Sequence, residues 1–294
     1  MKNRKVIFIV RSHAPTEAAL ARWLRCFEDL RRGFPGHSLV ASMSFDVTMQ
    51  SRVHRRRVRA FEKAAADRGV LVCVHKYSER DMRASFPALK QCEAKLIAEG
   101  KLHKEVKKGR SLAWGFHVEP LLLCLFWLDK RGAVNLEDDD YEVWCSEDDL
   151  GFTGDMADLV RFYSCACADV DLLGGKGRKR VDDDWWWANI ATDAFFELVP
   201  SHSRLFCEEH IQRFSKRLIE RLAHLATTCH VSAWSETFAP SIVDADPSMH
   251  FQSLSKHGHV GEPYAWWGNI SVDEWENLSA DPATSQKLYH ALKW

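Results

Sequence analysis

The sequence predicts an α/β fold with a mixed, mainly parallel central sheet flanked by helices. Two observations carry this. Lys5–Val10, KVIFIV, is an unbroken β-branched and aromatic run of the kind that a strand buried on both faces requires. Strand-like and helix-like segments then alternate over the first seventy-five or so residues, the rhythm of an open α/β sheet. A third stretch, Tyr141–Asp155 (YEVWCSEDDLGFTGD), begins as a short apolar run and ends in the carboxylates Glu147, Asp148 and Asp149, followed by Gly151 and Gly154. A buried strand that delivers acidic groups to its carboxyl edge is suited to hold a hard cation or a phosphate group.

Taken in order, the first strand stops at Arg11-Ser12-His13. Thr16 is placed to cap a helix whose apolar residues Leu20, Trp23, Leu24, Phe27 and Leu30 recur at helical spacing. Gly33, Pro35 and Gly36 end it. Ser38–Phe45 reads as a second strand ending at Asp46, 52–68 as a basic helix, and Val70–Val74 as a third strand. The polar stretch 80–111 reads as helix and loop. Trp114–Lys130 reads as a helix with Pro120 in its first turn, where the missing N–H costs nothing. Glu137–Asp140 reads as a solvated turn before the acidic strand, and Asp155–Cys167 as the next helix. A short strand is expected near Leu172-Leu173, then a basic glycine-rich loop, 174–180. In Ser203–Cys229, Phe206, Ile211, Phe214, Leu218, Leu222 and Leu225 recur every three to five residues, which predicts one long amphipathic helix or a helix pair. The tail from Asp244 is rich in turn residues and aromatics. No repeat or linker divides the 294 residues, so one domain is expected, with 1–155 and 156–294 as its two halves.

Composition narrows the function. Lys plus Arg number 40 and Asp plus Glu 41, which argues against a general nucleic-acid binder. The nine cysteines form no CxxC pair and mostly sit in apolar runs, which points to buried thiols in a reducing compartment and away from a zinc site. The N-terminal apolar run is too short for a signal peptide or a membrane span, as is the longest apolar stretch, Pro120–Leu128. A soluble, cytoplasmic protein without a membrane anchor is therefore expected.

The candidate site residues lie where strands end. Glu147 and Asp149 suit Mn2+ or Mg2+, since both cations take oxygen ligands; the same triplet also suits a solvated acidic turn. While the strand persists, alternate residues face opposite ways, so Glu147 and Asp149 should share a face and Asp148 should turn from it. Arg11, Ser12, His13 and Asp46 occupy the carboxyl ends of the first two strands, where α/β sheets bind ligands, with helix-capping loops as the plainer role. Glu236, in Ala233-Trp234-Ser235-Glu236, is a carboxylate beside an aromatic, and shielding from water would raise its pKa toward that of a useful base. It also suits the first turn of a helix capped by Ser235. His257 and His259 flank Gly258, and a late histidine can complete a metal or diphosphate site; a surface loop is the plainer role. Lys176, Arg178, Lys179 and Arg180 could close over a diphosphate, or lie in an exposed loop. Trp185–Trp187 and Trp266-Trp267 could stack on sugars, although any one of them suits core packing.

Four blocks carry a family resemblance: KVIFIVRSH, YEVWCSEDDLGFTGD, EEHIQRFSKRLIERL followed by AWSE, and QKLYHALKW. With these the chain resembles the soluble GT-A-type glycosyltransferases of large algal viruses (chloroviruses) and algae, most of all the viral β-xylosyltransferase group. The resemblance implies a single GT-A-like, Rossmann-like domain, a UDP-sugar donor, and inverting transfer of a sugar, xylose-like in this group, to a hydroxyl of a glycan acceptor. It places the acidic motif on Glu147–Asp149 and leaves a homodimeric assembly open. Glu236 is the base chosen on chemistry. Glu-Asp-Asp departs from a strict Asp-X-Asp pattern, which leaves the metal requirement open. Two other classes fit some of the residues. A metal-dependent phosphoesterase or nuclease would hold two metals with the acidic runs 137–140, 147–149 and 182–184. A non-catalytic glycan-binding module would use the tryptophans.

Overall fold

A computed structural model describes residues 4–101, 111–181, 185–264 and 269–294. Its centre is a sheet built from β1 (Lys5–Ser12), β2 (Leu39–Asp46), β3 (Val72–Tyr77), β4 (Tyr141–Glu147), β6 (Leu172–Gly174), β9 (Ile211–Ser215) and β10 (Phe251–Ser253). Their order across the sheet is β10-β6-β9-β4-β1-β2-β3. All neighbours run parallel except β9, which is antiparallel to both β4 and β6. The mixed, mainly parallel sheet anticipated from the sequence is therefore present.

Strand parity explains why the runs are continuously apolar. Ile7 and Ile9 enter one core with Val40, Tyr141, Val143 and Cys145, while Val6, Phe8 and Val10 enter the other with Ala41, Met43 and Trp144. The first core is covered by α5 (Val118–Lys130), α8 (Lys216–Thr227) and α9 (Ser235–Ala245); the second by α1 (Glu17–Gly33), α2 (Arg52–Asp67) and α6 (Met156–Ala166). Thr16 is the cap that the sequence calls for, its Oγ1 accepting from Ala19 N on α1, and Asp155, expected as the first residue of its helix, is the cap of α6. Between β3 and α5 run α3 (Glu79–Ser85) and α4 (Leu89–Ala98). Glu137–Asp140 forms the turn before β4, with Asp139 paired to Lys5. The acidic run 182–184 and the pair Trp266-Trp267 lie outside the described residues.

The structure corrects the expectation for 203–229. In place of one long helix there are β8 (Leu205–Phe206), then β9, and only then α8. Ile211–Phe214 is buried on both faces, so the chain there needs inter-strand partners, which β4 and β6 supply. The three- and four-residue apolar spacing persists through Phe214 because a strand buried on both sides does not have to alternate. Ser215 then caps α8 by accepting from Leu218 N.

The same strand carries the most deeply buried charge. Arg213 and Glu142 are each 0% exposed. Arg213 Nη2 and Nε reach Glu142 Oε2 at 3.1 and 3.2 Å, Nη1 donates to the carbonyl of Val170, and Trp144 Nε1 and Ser164 Oγ satisfy the other Glu142 oxygen. Removing Glu142 would leave Arg213 unpaired in the core, and removing Arg213 would leave the Glu142 carboxylate with only the partly exposed Arg4, 3.8 Å away. Arg213→Met is expected to cost about 3–5 kcal/mol and to lower the melting temperature by roughly 6–15 °C, measured by thermal and denaturant unfolding. The Glu142→Met/Arg213→Met double variant should recover much of the loss, because no unpaired charge then remains.

A second, smaller sheet stands beside the carboxyl end of β4. It is ordered β11-β12-β5, from β5 (Gly151–Phe152), β11 (Val260–Tyr264) and β12 (Leu288–His290), with α10 (Val272–Ala280) before β12. Gly151 is required here because a Cβ would lie 2.6 Å from the Trp275 ring. β7 (Lys179–Arg180) pairs with β8, and α7 (Asp193–Leu198) lies between them. Among the described residues no helix is long and apolar enough to cross a membrane.

Candidate active site

The carboxyl end of β4 is clamped from three directions. Glu147 N donates to the His210 carbonyl at 2.9 Å, tying the strand end to the start of β9. The following turn is held by α1: Arg22 Nη2 and Trp23 Nε1 both donate to the Asp148 carbonyl, at 2.8 and 3.0 Å, and Arg22 Nε donates to the Leu150 carbonyl at 3.1 Å. Leu292 N, just past β12, donates to the Asp149 carbonyl at 2.7 Å. The acidic triplet is thus a fixed turn with its side chains projecting from a braced backbone.

Two histidines converge on it. His210 Nδ1 lies 2.8 Å from Glu147 Oε2, and His290 Nε2 lies 3.3 Å from Glu147 Oε2 and 3.1 Å from Asp149 Oδ1. The two imidazoles stack with centroids 3.4 Å apart. Burial opposes the charge on His290, but the hydrogen bonds to Asp149 and Glu147 outweigh it and lift its pKa to about 10. Burial likewise opposes the charge on Glu147, and the two histidines overcome this and hold its carboxyl well below the usual range. Glu147, His210 and His290 each offer one donor atom, all within 4.8 Å of one another, and among the described residues this is the group of three fit to hold a metal.

The site residues expected from the sequence fall into distinct positions. Glu147 and Asp149 both reach His290, whereas Asp148 accepts from Ser12 Oγ on β1. The division is the expected one, but alternation does not produce it: β4 ends at Glu147, and the turn sets the directions of the other two. Burial, followed by the charge of Asp149, pushes the Asp148 carboxyl up to about 6. Arg11 is the register partner of Glu147 and its Nη2 lies 3.8 Å from Glu147 Oε1 and 3.3 Å from the Glu209 carbonyl. Its Nε and Nη1 are buried without a partner. His13 follows at the exposed end of β1. Asp46, at the end of β2, accepts from Ser111 Oγ and, at 2.9 Å, from Thr48 N, so it shapes its own turn and the approach of residue 111.

His259, expected at the metal, is not there. Its Nδ1 meets the Tyr163 hydroxyl at 2.9 Å, and its ring packs on Phe162 and Tyr163 of α6. The late histidine that does reach the acidic turn is His290. Of the basic loop, Lys176 pairs with Glu262 at 2.9 Å and Arg178 with Asp244 at 2.9 Å, while Lys179 and Arg180 form β7.

Glu236 opens α9, and Trp234 Nε1 donates to its Oε2 at 3.1 Å. Burial, then the charge of Glu209, and less strongly those of Glu147 and Glu208, push its carboxyl up to about 8. Glu209, the residue before His210, has its Oε1 2.6 Å from His117 Nδ1 and accepts from Ser235 Oγ, next to Glu236, at 2.5 Å. No spacing or motif in the sequence marks His210, His290, Glu209 or His117. The first three stand inside the quoted blocks EEHIQRF and LYHALKW, where nothing local distinguishes them.

The acidic run at 137–140 stands at the opposite end of β4, about 20 Å away at the strand rise. It cannot share a two-metal site with Glu147, because the metals of such a site lie only about 4 Å apart.

No family model matches the chain, and no curated protein matches it in sequence. Solved structures do resemble it. Mouse xyloside xylosyltransferase 1 in its apo form aligns with a TM-score of 0.38 and 11% identity, over 98% of this chain and 97% of its own. The mannosyltransferase PcManGT of Pyrobaculum calidifontis, in complex with GDP-Man and Mn2+, aligns with a TM-score of 0.37 and 12% identity, over 86% of this chain and 58% of its own. The mannosyltransferase Ktr4p of S. cerevisiae, in complex with GDP, gives a TM-score of 0.43 and 9% identity, over 84% and 69%.

Proposed function

We propose that the protein is a glycosyltransferase that takes a sugar from a nucleoside-diphosphate donor and passes it, with inversion, to a hydroxyl of a glycan acceptor. The observation that carries this reading is the convergence of Glu147, His210 and His290 on the braced turn after β4, with Glu236 shielded nearby. The donor set fits a divalent cation. A carboxylate with two imidazoles favours Mn2+ over Mg2+, which prefers oxygen ligands throughout, and His210 Nε2 is a buried nitrogen with no hydrogen-bond partner. When bound, such a cation supplies charge neutralisation for the departing diphosphate.

The chain's own groups do the rest. Ser12, His13 and Asp148, at the ends of β1 and β4, line the edge at which the nucleotide binds, and Asp46 shapes its rim. Arg11 holds Glu147 from behind. Glu236 takes the proton of the acceptor hydroxyl as its oxygen attacks the anomeric carbon. The bond from that carbon to the phosphate oxygen breaks, and the nucleoside diphosphate leaves with the electron pair. UDP as the nucleotide, a xylose-like sugar and the viral and algal grouping are carried by the four sequence blocks alone.

The test is a nucleotide-release screen with UDP- and GDP-sugars, in Mn2+, in Mg2+ and in chelator, alongside melting curves. Mn2+ with the correct nucleotide at about 100 times its Kd should stabilise the fold by about 2.7 kcal/mol, and release should stop in chelator. If no nucleotide raises the melting temperature with either metal, the reading fails. Hydrolysis of phosphodiesters without nucleotide-sugar turnover would establish a phosphoesterase instead.

A further inference from the structure

A concentrated positive face lies on α2. Its sequence, RVHRRRVRAFEKAAAD, holds six Arg or Lys and two Asp or Glu, in a chain whose net charge is -1. Val58, Phe61 and Ala65 form its buried stripe. At about 3.6 residues per turn, Arg52, Arg56, Arg59 and Lys63 fall on the opposite side, with Arg55 at one margin and Val53 at the other. All six are exposed. Lys63 pairs with Asp67 at 3.2 Å, whereas among the described residues no ion pair or side-chain hydrogen bond engages Arg52, Arg55, Arg56 or Arg59. Arg57 differs: it is directed to the neighbouring loop and donates to the Pro15 carbonyl at 3.1 Å. Two apolar side chains accompany the free arginines. Met49, just before the helix, is 48% exposed, and Val53, in its first turn, is 51% exposed.

This arrangement works against the helix that carries it. Arg52 and Arg56, and Arg55 and Arg59, are like charges four residues apart, a spacing that weakens a helix. The first turn holds no acidic residue, so the positive end of the helix dipole meets arginine. A solvated face that served the helix would alternate its charges, as Lys63 and Asp67 do. The complement of such a face is an anionic surface, and Met49 and Val53 decide which kind. Apolar side chains beside basic ones enter the headgroup boundary of a bilayer, whereas a nucleic-acid backbone offers them nothing. We propose that the exposed face of α2, with Met49 and Val53, docks the protein on the surface of a bilayer rich in anionic phospholipid. The protein then lies on the membrane, since among the described residues no helix is long and apolar enough to cross one. α2 starts just past the carboxyl end of β2, and β1, β2 and β4 run parallel. Docking through its first turns therefore holds the sheet edge that carries the acidic turn beside the lipid surface.

The test floats the intact protein with vesicles of phosphatidylcholine alone and with vesicles of an equal mixture of phosphatidylcholine and phosphatidylserine, over a series of salt concentrations. The mixed vesicles should carry the protein and the neutral ones should not, and binding should fall as salt rises. Arg52→Gln/Arg56→Gln should lower the partition coefficient by roughly 30-fold, since each arginine near such a surface contributes about fivefold. Met49→Ser/Val53→Ser should remove the part of the binding that survives at high salt. Lys90→Gln/Lys130→Gln makes the same charge change at exposed positions of α4 and α5 and should bind as the parent does. The substituted positions are all exposed, and relief of like-charge repulsion should leave the melting temperature of the arginine variant at or above that of the parent, which separates lost docking from lost fold. The inference is overturned if neither vesicle binds, if both bind alike, or if the arginine variant binds as well as the parent or no worse than the lysine variant. Binding of duplex DNA without binding of vesicles also overturns it and assigns the face to a nucleic acid. Because no nucleotide is present, the result stands apart from the transferase reading.

Discussion

Glu236→Gln lowers kcat by about 100- to 10,000-fold, the usual contribution of a general base, and abolishes the rise of kcat/KM with pH. Burial and the charge of Glu209 hold the Glu236 carboxyl near a pKa of about 8, so at neutral pH only a minority of molecules carry the ionised form that can take a proton. The parent rate should therefore climb about tenfold per pH unit below that value and level off above it. The Gln side chain still offers Trp234 Nε1 an acceptor, so the shielded pocket survives and nucleotide binding with Mn2+ should be unchanged. Stability gives a second readout, and its sign is fixed. The native state binds this proton more tightly than the unfolded chain does. The associated stability is fully present below the ordinary carboxyl pKa and is lost as pH rises through about 8. Glu236→Gln should flatten that decline between about pH 5 and pH 8, measured as melting temperature against pH. A variant that keeps the parent's rising limb would remove Glu236 from the role of base.

Much of the architecture was legible because buried strands and capped helices leave local marks. KVIFIV fits a doubly buried strand and is one, and the Thr16 cap fell where its helix begins. β9 was not legible. A strand buried on both faces shows no alternation, and Phe214, Leu218 and Leu222 keep helical spacing across the strand-to-helix junction at Ser215. That error hid part of the site. Once 211–215 is a strand antiparallel to β4, His210 has to stand at the carboxyl end of β4, opposite Glu147. His290 was hidden for a different reason. A lone histidine in LYHALKW carries no spacing signal, and its approach to Asp149 depends on β12 pairing with β5 across more than a hundred residues of chain. His259 looked the better candidate only because a second histidine stands nearby. Glu147, Asp149 and Glu236 could be singled out because strand ends and an aromatic neighbour are local features.

His290→Ala is the sharpest test of the cation site. Removal of the ring takes one donor from the group of three, a donor that gives up its Nε2 proton when a cation binds, and in the cation-free protein it leaves Glu147 and Asp149 without the cationic partner that sits between them. Mn2+ affinity should fall by more than about 100-fold, beyond the 10- to 100-fold typical of losing an outer partner of a metal ligand, and Mn2+-dependent nucleotide binding should fall with it. Glu147→Gln should do the same. Asp148→Asn should have a smaller effect, because its carboxylate is directed to Ser12, and His259→Ala should have none, because that ring packs on α6. Calorimetric titration of Mn2+, with and without UDP, separates these cases, and melting curves in chelator separate loss of cation from loss of fold. In chelator, His290→Ala should also be less stable than the parent, since two carboxylates then face each other in a partly buried turn. Equal Mn2+ affinity in the parent, His290→Ala and Glu147→Gln would show that the cluster is an ion-pair brace for the β4 turn, and would move any cation site elsewhere.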